Sequence, residues 1–285
     1  MSSARPLLGI DLGGTKVRVG KVVAGSVTRR ATGRIDGKAD EEVVLARIYD
    51  TIDRVIDDEV VGIGCGVPSV VDVEQGIVYR VENIPSWRRV RLKDKLEERY
   101  RRPATINNDA NAFVLGELHF GKARGYRNVV GLTLGTGLGA GIICNGCLYT
   151  GANCGAGEIG SIPYREHTLE HYAAGPFFRH RGGVAGDVVF ERVKAGDEEA
   201  LHLFLEYGRE LGDAILIVLY TYDPELIVLG GSISEAYPFF ERGMRDRLRD
   251  FEYQHALARL VIACSELADA AVLGAAALCL GAGPR

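Results

Sequence analysis

The sequence predicts an α/β protein with a duplicated core, and three observations support this fold class. Segments with the apolar pattern of buried strands are interleaved with segments of helical periodicity, as in α/β layers. Two segments of similar pattern, LGIDLGGT from Leu8 and VGLTLGTG from Val130, begin the two halves of the fold. The 37 glycines cluster in short loops without a three-residue period, which excludes collagen and indicates sites lined by backbone atoms.

In the first half, each predicted element follows from local pattern and turn chemistry. The strand from Leu8 leads into a glycine loop, a second strand over 17–23 and the turn Ala24-Gly25-Ser26. Apolar residues at helical spacing predict the first helix, and Pro103 ends the second. The elements predicted after the turn are a helix over 40–58, a buried strand over 60–68, a helix over 92–102, a strand over 105–107 and a helix over 110–120.

The second half repeats this beginning. Its strand from Val130 leads into the glycine loop 134–139, a strand over 140–144 and Asn145-Gly146, a pair that favours a type I′ hairpin turn. The later elements are predicted as a long helix over 197–222, a strand over 226–229 and an Ala/Leu-rich helix over 268–280. Chance similarity between glycine turns is the alternative. The match in polarity and glycine position over consecutive residues favours duplication.

The duplication predicts two α/β domains around a cleft. We expect a small N-terminal domain over 1–115 and a large C-terminal domain over 116–267, with the boundary in or just after the helix 110–120. The two glycine loops would then face each other across the cleft.

Composition and charge exclude several classes of function. The chain is 47% hydrophobic and 25% charged, which excludes a long disordered protein. Its formal net charge of -4 disfavours nucleic acid as a partner. We find neither a signal peptide nor an apolar run long enough to span a membrane. The six cysteines lie in mostly apolar segments, which is typical of buried thiols in a reducing compartment. We therefore expect a cytoplasmic protein without a membrane partner.

The loop over residues 11–16, DLGGTK, is the first candidate site. It connects two strands, so it is neither a Walker loop, which opens a helix, nor a dinucleotide fingerprint. Gly13 and Gly14 let backbone N–H groups approach an anion, Thr15 and Lys16 add donors, and Asp11 is suited to hold a metal ion through water. A tight turn is the alternative. Together with LGTGLG over 134–139, however, the loop predicts that a polyphosphate is gripped from both sides.

A second candidate site lies where a predicted strand passes into the helix 110–120. Asp109 is suited either to cap this helix or to act as a general base at the end of a strand. Asn108 beside it is suited to hydrogen-bond a hydroxylated ligand. The residues alone leave both interpretations of Asp109 open.

Four motifs make the sequence similar to the ROK family of sugar kinases and repressors. They occur in the family's order: DLGGTK over 11–16, NDANA over 108–112, LGTGLG over 134–139 and GEIG over 157–160. The resemblance covers nearly the whole chain from Leu7. It implies the actin-like ATPase (ribonuclease H-like) fold, with two α/β domains around a cleft. It also implies that the C-terminal helix, over 268–285, packs back on the N-terminal domain.

The resemblance implies roles for individual residues. Asp109 would be the catalytic base, Asp11 would hold Mg²⁺ through water, and homodimers are common in the family. The residues that match the ATP and phosphate loops are Asp11, Gly13, Gly14, Thr15, Lys16, Gly135, Thr136, Gly137, Gly230 and Gly231. The residues that would bind the sugar are Gly66, Asn83, Asn108, Asp109, Glu158 and Glu170.

The sequence departs from the family's zinc motif. Many ROK proteins have a His after GExG and then a cysteine run that binds zinc, whereas here Ser161 stands in the position of the His and no cysteine run follows. We expect no structural zinc, because the tetrahedral ligand set is missing. The alternative ligands are His167 and His171 at i, i+4 spacing, or the cysteines Cys144, Cys147 and Cys154. Cys144 and Cys147 flank the hairpin turn, where we expect small apolar side chains.

Two functions of different class follow. The first is an ATP- and Mg²⁺-dependent hexose kinase, glucokinase-like, that phosphorylates the 6-hydroxyl of a hexose, or a kinase for fructose or an N-acetylhexosamine. The second is a ROK-type sugar sensor or regulator without catalysis. Family regulators carry a DNA-binding segment ahead of the first phosphate loop. Here that loop begins at Asp11, which together with the intact Asp109 favours the enzyme.

Overall fold

The computed structural model describes residues 5–81 and 83–281. These residues form two compact units. Unit 1 takes in the described positions up to Gly125, Gly141–Ala156 and the described positions from Glu266 onward, and unit 2 takes in Tyr126–Ala140 and Gly157–Ser265. The domain bounds 1–115 and 116–267 stay a prediction.

The secondary structure alternates between strands and helices as expected. The strands are β1 (Leu7–Leu12), β2 (Lys16–Val23), β3 (Ser26–Arg34), β4 (Gly62–Val67), β5 (Val71–Asp72), β6 (Ile77–Val78), β7 (Val90–Arg91), β8 (Ala104–Asn108), β9 (Val129–Leu134), β10 (Leu138–Cys144), β11 (Cys147–Leu148), β12 (Pro163–Tyr164), β13 (His167–Thr168), β14 (Leu226–Gly230) and β15 (Val261–Cys264). The helices are α1 (Glu41–Ile52), α2 (Leu92–Tyr100), α3 (Asp109–Phe120), α4 (Leu169–Ala173), α5 (Gly175–Gly182), α6 (Gly186–Lys194), α7 (Glu198–Tyr222), α8 (Tyr237–Leu248), α9 (Gln254–Leu257) and α10 (Ala270–Ala277). Short 3₁₀ turns cover Ile159–Ser161, Ser232–Ala236 and Leu278–Leu280.

The two main sheets have the same strand order. The first runs β3-β2-β1-β4-β8, and the second runs β11-β10-β9-β14-β15. In each sheet the first strand of the repeat lies between its hairpin partner and a parallel strand from later in the chain. Because the strand order repeats over five strands, the structure confirms the duplication predicted from the two glycine loops, and with it the α/β fold class.

Turn chemistry fixes both hairpins. The first turn has Ala24 at φ 51° and Gly25 at φ 78°, and the second has Asn145 at φ 52° and Gly146 at φ 82°. Two consecutive positive φ values define the type I′ turn, whose twist matches that of the flanking strands. The prediction from Asn145-Gly146 is confirmed.

The last helix packs within unit 1. Val272, Leu273 and Ala276 of α10 are buried in one apolar cluster with Leu7 of β1 and Val22 of β2. A helix that is apolar on most sides is expected to be buried. Positions 282–285, which the prediction included in this helix, lie outside the described residues.

Several predicted element bounds were wrong. Helix α1 ends at Ile52, although the apolar pattern continued to residue 58. Val55 is nonetheless fully buried, because the chain after the helix still passes over the core, so apolar spacing persists where helical geometry has ended. Helix α2 likewise ends at Tyr100, where Arg101 adopts a left-handed φ of 54°.

The cysteines were predicted to be buried, and this is wrong for two of them. Cys144 and Cys147 are exposed, and Cys264 and Cys279 are half-buried. At the tip of a two-residue hairpin the side chains extend beyond the layer that covers the sheet.

None of the described helices is long and apolar enough to cross a membrane.

Candidate active site

The first glycine loop is a tight connection between β1 and β2. The N–H of Gly13 donates to the carbonyl oxygen of Lys16 at 2.8 Å, and the N–H of Ile35 donates to that of Thr15 at 2.9 Å. Thr15 and Lys16 are exposed, and the two glycines are half-buried. The loop therefore has a fixed backbone while its side-chain donors remain available.

Three parallel strands bring predicted residues to one edge of the unit 1 sheet. Asp11 of β1 is in register with Gly66 of β4, and Val67 is in register with Asn108 of β8. Ligands of open α/β sheets bind at the carboxyl ends of parallel strands. Asp11, Gly66 and Asn108 lie at such an edge.

Asp11 is a partly desolvated carboxylate. Its Oδ2 accepts a hydrogen bond from Nε of Arg18 at 2.9 Å. Burial raises the pKa of Asp11, and the positive charge of Arg18 offsets part of that increase. Since burial penalises the ionised carboxylate, a divalent cation close to Asp11 would stabilise it.

Asn108, and not Asp109, caps helix α3. The Asn108 Oδ1 accepts from the N–H groups of Ala110 at 2.8 Å and Asn111 at 3.3 Å. Asp109 is the first helical residue, is exposed, and accepts the Ala110 N–H through its own Oδ1 at 2.9 Å. The N-cap role predicted as the alternative for Asp109 therefore belongs to Asn108. The Asp109 carboxylate stands at a helix N-terminus, where the helix dipole favours negative charge.

A buried polar network lies next to this cap, and sequence reasoning missed it. The Asn107 Oδ1 accepts from the Asn108 N–H at 2.8 Å, from Asn111 Nδ2 at 3.0 Å and from Cys154 Sγ at 3.2 Å. Asn107, Asn111 and Cys154 are all buried. Buried hydrogen-bond networks hold one geometry, so the strand end that carries Asn108 is rigid. The contact could not be predicted, because Cys154 is far in sequence from Asn107 and Asn111.

Asn83 is exposed but its backbone is fixed. A Cβ placed at Gly14 would overlap the side chain of Asn83, so only glycine allows the first loop to approach this closely. Two buried residues that follow Asn83 in the chain anchor its backbone. Ile84 and Trp87 are fully buried, and the Trp87 N–H donates to the Ile84 carbonyl oxygen at 2.9 Å.

The second glycine loop follows β9 in unit 2 and lies at the beginning of α5. The Gly135 N–H donates to the carbonyl oxygen of Gly137 at 3.1 Å, and the Gly175 N–H donates to that of Gly135 at 2.9 Å. A Cβ at Gly135 would have no protein atom within 4 Å. The loop thus presents backbone and the exposed Thr136 to open space, an arrangement that suits an anion.

Gly230 and Gly231 end the neighbouring strand. Gly230 of β14 is in register with Thr133 of β9. Gly231 has φ 84°, and a Cβ there would overlap the carbonyl oxygen of Leu134. The left-handed backbone and the close approach both require glycine. This pair therefore lies directly beside the second glycine loop.

A cavity of about 470 Å³ opens beside these two features within unit 2. Gly135 and Thr136 line it on one side, and Ser232, which follows the glycine pair, lines it on another. Its remaining wall is mostly apolar and includes three aromatic side chains, with three charged residues among them. The aromatic residues are Phe178, Phe190 and Phe204, and the charged ones are Arg179, Asp187 and Glu235. Pockets of this size and lining suit a flat organic group held by a few polar contacts. These aromatic side chains could not be predicted from the sequence, because they come from helices α5, α6 and α7, which carry no motif.

Two carboxylates, Glu158 and Glu170, lie close enough to interact in unit 2. Desolvation raises the pKa of Glu158, and the negative charge of Glu170 raises it further. Glu170 Oε2 accepts a weak hydrogen bond from the Leu138 N–H at 3.4 Å and lies against Gly137. The structure thus brings both glutamates beside the second glycine loop.

The alternative zinc ligands form a different arrangement. Ser161 ends the 3₁₀ turn, and His167 and His171 stack with ring centroids 4.0 Å apart, with His180 at 5.1 Å from His171. Across the described ranges, no group of three or more His, Cys, Asp or Glu residues could hold a metal ion. The absence of a structural zinc stays a prediction.

Within each unit the predicted residues fall together. In unit 1, the loop 13–16, Asn83 and the strand ends with Asp11, Gly66 and Asn108 are linked by direct register or contact. In unit 2, the loop 135–137, the pair Gly230-Gly231 and Glu170 are linked in the same way. Within each unit, residues predicted to bind phosphate and residues predicted to bind sugar are thus neighbours in space.

The repeated sheets and their glycine loops place the chain in the class of proteins with the actin-like ATPase fold, to which the ROK kinases belong. The ROK family model matches residues 7–282, and the chain belongs to the ROK family.

Relatives include both kinases and regulators. The chain is 32% identical to a glucokinase of Thermotoga maritima, over 95% of this chain and 96% of that protein. It is 25% identical to a xylose repressor of Caldicellulosiruptor bescii, over 94% of this chain and 76% of the repressor. Among solved structures, a ROK glucokinase from Streptomyces griseus in complex with glucose and AMPPNP matches with a TM-score of 0.81 at 27% identity, over 96% of this chain and 98% of its own.

Proposed function

We propose that the chain is an ATP- and Mg²⁺-dependent hexose kinase that phosphorylates the 6-hydroxyl of an aldohexose such as glucose. The observation that carries the proposal is the edge formed by Asp11, Gly66 and Asn108, with the exposed Asp109 carboxylate at the start of α3. Similarity to glucokinases over nearly the whole chain supports it. We further expect a cytoplasmic homodimer.

The residues present suit the nucleotide and its metal ion. Asp11 offers one partly desolvated carboxylate, and Mg²⁺ in such sites usually takes one or two carboxylates together with phosphate oxygens and water. The two glycine loops offer backbone N–H groups, and the open space at Gly135 admits a phosphate. The mostly apolar lining of the cavity, with the partly exposed ring of Phe190, suits the adenine ring. When bound, Mg-ATP supplies the phosphoryl group and its ion neutralises phosphate charge.

Asp109 has the properties of a general base for this reaction. Its carboxylate is exposed, so a sugar hydroxyl can reach it, and a carboxylate can accept a proton from that hydroxyl. Asn108 is held as the cap by two backbone N–H groups, which fixes the adjacent Asp109 backbone. Asp109 would accept the hydroxyl proton as that oxygen attacks phosphorus.

The remaining polar residues suit sugar hydroxyls. Glu158 and Glu170 offer carboxylate oxygens, which accept hydrogen bonds from vicinal diols, and Asn83 and Asn108 offer both donors and acceptors. Gly66 leaves room beside Asp109. A Cβ atom at position 66 would lie 3.6 Å from the Asp109 Cα and would fill that space. Ser161 occupies the place where many relatives have a His, so the choice among hexoses remains with these groups.

The acceptor is found by measuring ADP release from Mg-ATP with glucose, mannose, fructose, allose and N-acetylhexosamines. We expect one hexose to give turnover well above the rate of ATP hydrolysis without sugar. Binding of a sugar, measured by calorimetry, without turnover on any acceptor would favour the sensor function that the similarity to a repressor suggests. That result would contradict the kinase proposal.

Gly135→Ala is expected to weaken Mg-ATP binding without destabilising the fold. The added methyl group would extend into open space with no protein atom within 4 Å, so the free energy of unfolding should stay nearly constant. If phosphates approach this backbone, steric overlap that costs about 1–3 kcal/mol should raise the KM for Mg-ATP by roughly 5- to 150-fold. Gly155→Ala, another open position, is the matched control and should leave the KM unchanged. An unchanged KM in Gly135→Ala would remove this loop from the proposed ATP site.

Glu158→Gln is expected to change the pH dependence of sugar binding. Because the pKa of Glu158 is raised, its carboxylate takes up a proton at higher pH than an ordinary Glu, and the KM for sugar should rise as the pH falls toward that pKa. Loss of a hydrogen bond to a charged group costs about 1.5–3 kcal/mol, which should raise the KM of the variant for sugar by roughly 10- to 150-fold at neutral pH. The KM of the variant should also depend less on pH.

A measurement of stability separates weaker sugar binding by Glu158→Gln from loss of folding. A carboxyl group whose pKa is raised by folding makes the folded state more stable at low pH and less stable once it ionises. Glu158→Gln removes the ionised form, so we expect no loss of stability at neutral pH. Glu166→Gln, at an exposed position in the same unit, is the control. Equal pH profiles for wild type and Glu158→Gln would show that Glu158 does not bind the sugar.

A further inference from the structure

The hairpin β10–β11 carries a pair of facing cysteines. Cys144 and Cys147 are register partners across the Asn145-Gly146 turn. Partners in an antiparallel pair have Cα atoms about 4.5–5.5 Å apart and side chains on the same face. Disulfides span Cα distances of about 4.4–6.8 Å. The Cα spacing of such a pair therefore falls within the disulfide range, and its Cβ atoms, usually about 4.5–5.5 Å apart in facing residues, need to approach by roughly 1 Å for the two sulfur atoms to be joined.

Access distinguishes this pair from the other four cysteines. Both thiols are free and exposed. Cys65 and Cys154 are buried, and the Cys154 Sγ donates to Asn107 inside the core. Burial raises the pKa of Cys264 to about 11 and that of Cys279 to about 12. Because the thiolate is the reactive form, Cys264 and Cys279 are poor nucleophiles in the folded protein, and burial keeps Cys65 and Cys154 from reagents in solution.

We propose that Cys144 and Cys147 form a dithiol site that closes to an intrachain disulfide by exchange with low-molecular-weight disulfides such as glutathione disulfide. The thiolate of one cysteine attacks a sulfur atom of glutathione disulfide, whose S–S bond breaks and releases one glutathione thiolate. The second cysteine then attacks the protein sulfur of the mixed disulfide and releases the second glutathione. The two protein thiols lose two protons and two electrons in total, and glutathione disulfide is reduced to two molecules of glutathione.

The turn makes the second step intramolecular and fast. Two groups held in one short loop react with a high effective concentration, and here the type I′ turn is already formed, with φ 52° at Asn145 and φ 82° at Gly146. The mixed disulfide should therefore not accumulate in the wild type. The proposal concerns the thiols alone and does not depend on the proposed kinase function.

The test is a map of oxidised thiols in the full chain. The folded protein is incubated with glutathione disulfide, quenched with acid, unfolded, alkylated with N-ethylmaleimide and digested with trypsin. The tryptic peptide 128–165 contains Cys144, Cys147 and Cys154. We expect this peptide to carry one maleimide, on Cys154, and to be lighter than the triply alkylated peptide of the reduced protein by two maleimide groups and two hydrogen atoms.

Single variants separate closure from simple exposure. Cys147→Ser should stop at a mixed disulfide of glutathione with Cys144, and Cys144→Ser should stop at one with Cys147. A second probe, phenylarsine oxide, bridges two neighbouring thiols; it should bind the wild type and bind neither single variant. Since both positions are exposed, the variants should unfold at the same denaturant concentration as the wild type.

Two results would overturn the proposal. One is a wild-type protein in which each cysteine carries glutathione separately and no disulfide closes. The other is retention of phenylarsine oxide by both single variants, which would place the bridged thiols elsewhere in the chain.

Discussion

Replacing Asp109 by Asn should lower kcat by about 10²- to 10⁴-fold, the usual contribution of a general base. The substitution keeps the size of the side chain and an oxygen that can accept the Ala110 N–H, a hydrogen bond of 2.9 Å in the structure. Asn cannot take up the hydroxyl proton. We therefore expect the KM for Mg-ATP and the free energy of unfolding to change little while turnover is nearly lost.

Glu198→Gln is the matched control for this variant. Glu198 is also an exposed acid in the first turn of a helix, α7, where Asp197 provides the cap. Its loss should leave kcat unchanged. If Asp109→Asn retained most of the wild-type kcat, Asp109 would not be the base, and the proposed mechanism would fail even if the chain proved to be a kinase.

Gly231→Ala should have the largest effect on stability. Gly231 has φ 84°, and the new Cβ would overlap the Leu134 carbonyl oxygen. A left-handed backbone costs an L-residue about 1–2 kcal/mol, and overlap in a packed region costs about 1–3 kcal/mol. We expect the free energy of unfolding in denaturant to fall by about 2–5 kcal/mol. Since Leu134 immediately precedes Gly135, displacement there should also raise the KM for Mg-ATP.

Gly196→Ala separates backbone strain from overlap. Gly196 has φ 88°, but a Cβ there would have no atom within 4 Å. It should therefore show only the backbone cost of about 1–2 kcal/mol and an unchanged KM. Equal destabilisation by the two substitutions would mean that the contact between Gly231 and Leu134 has no energetic importance.

Local chemistry explains which parts of the fold could be predicted. The pair Asn145-Gly146 favours two consecutive positive φ values, so the hairpin and its type I′ turn followed from two residues. The long helix was predicted over 197–222 and is Glu198–Tyr222, because Asp197 accepts two backbone N–H groups as its cap. These features depend on residues close together in sequence.

The features that were missed depend on contacts distant in sequence. Apolar spacing reports burial, so it extended helix α1 through Val55, which is buried outside the helix. The same spacing could not show that the cysteines at the hairpin tip are exposed. The polar network of Asn107 and Asn111 with Cys154, and the aromatic wall of the cavity, have no local signal, since each joins segments that only folding brings together.

The phosphorylated product is the most direct test of the central proposal. The full chain is incubated with Mg-ATP and the best acceptor hexose, and the product is followed by ³¹P NMR with Asp109→Asn alongside. We predict a new phosphomonoester signal that couples to the two protons of C6, and its near absence in the variant. A phosphorus signal coupled to a single sugar proton would contradict the 6-hydroxyl assignment. Formation of inorganic phosphate alone, without any sugar phosphate, would contradict the hexose kinase itself.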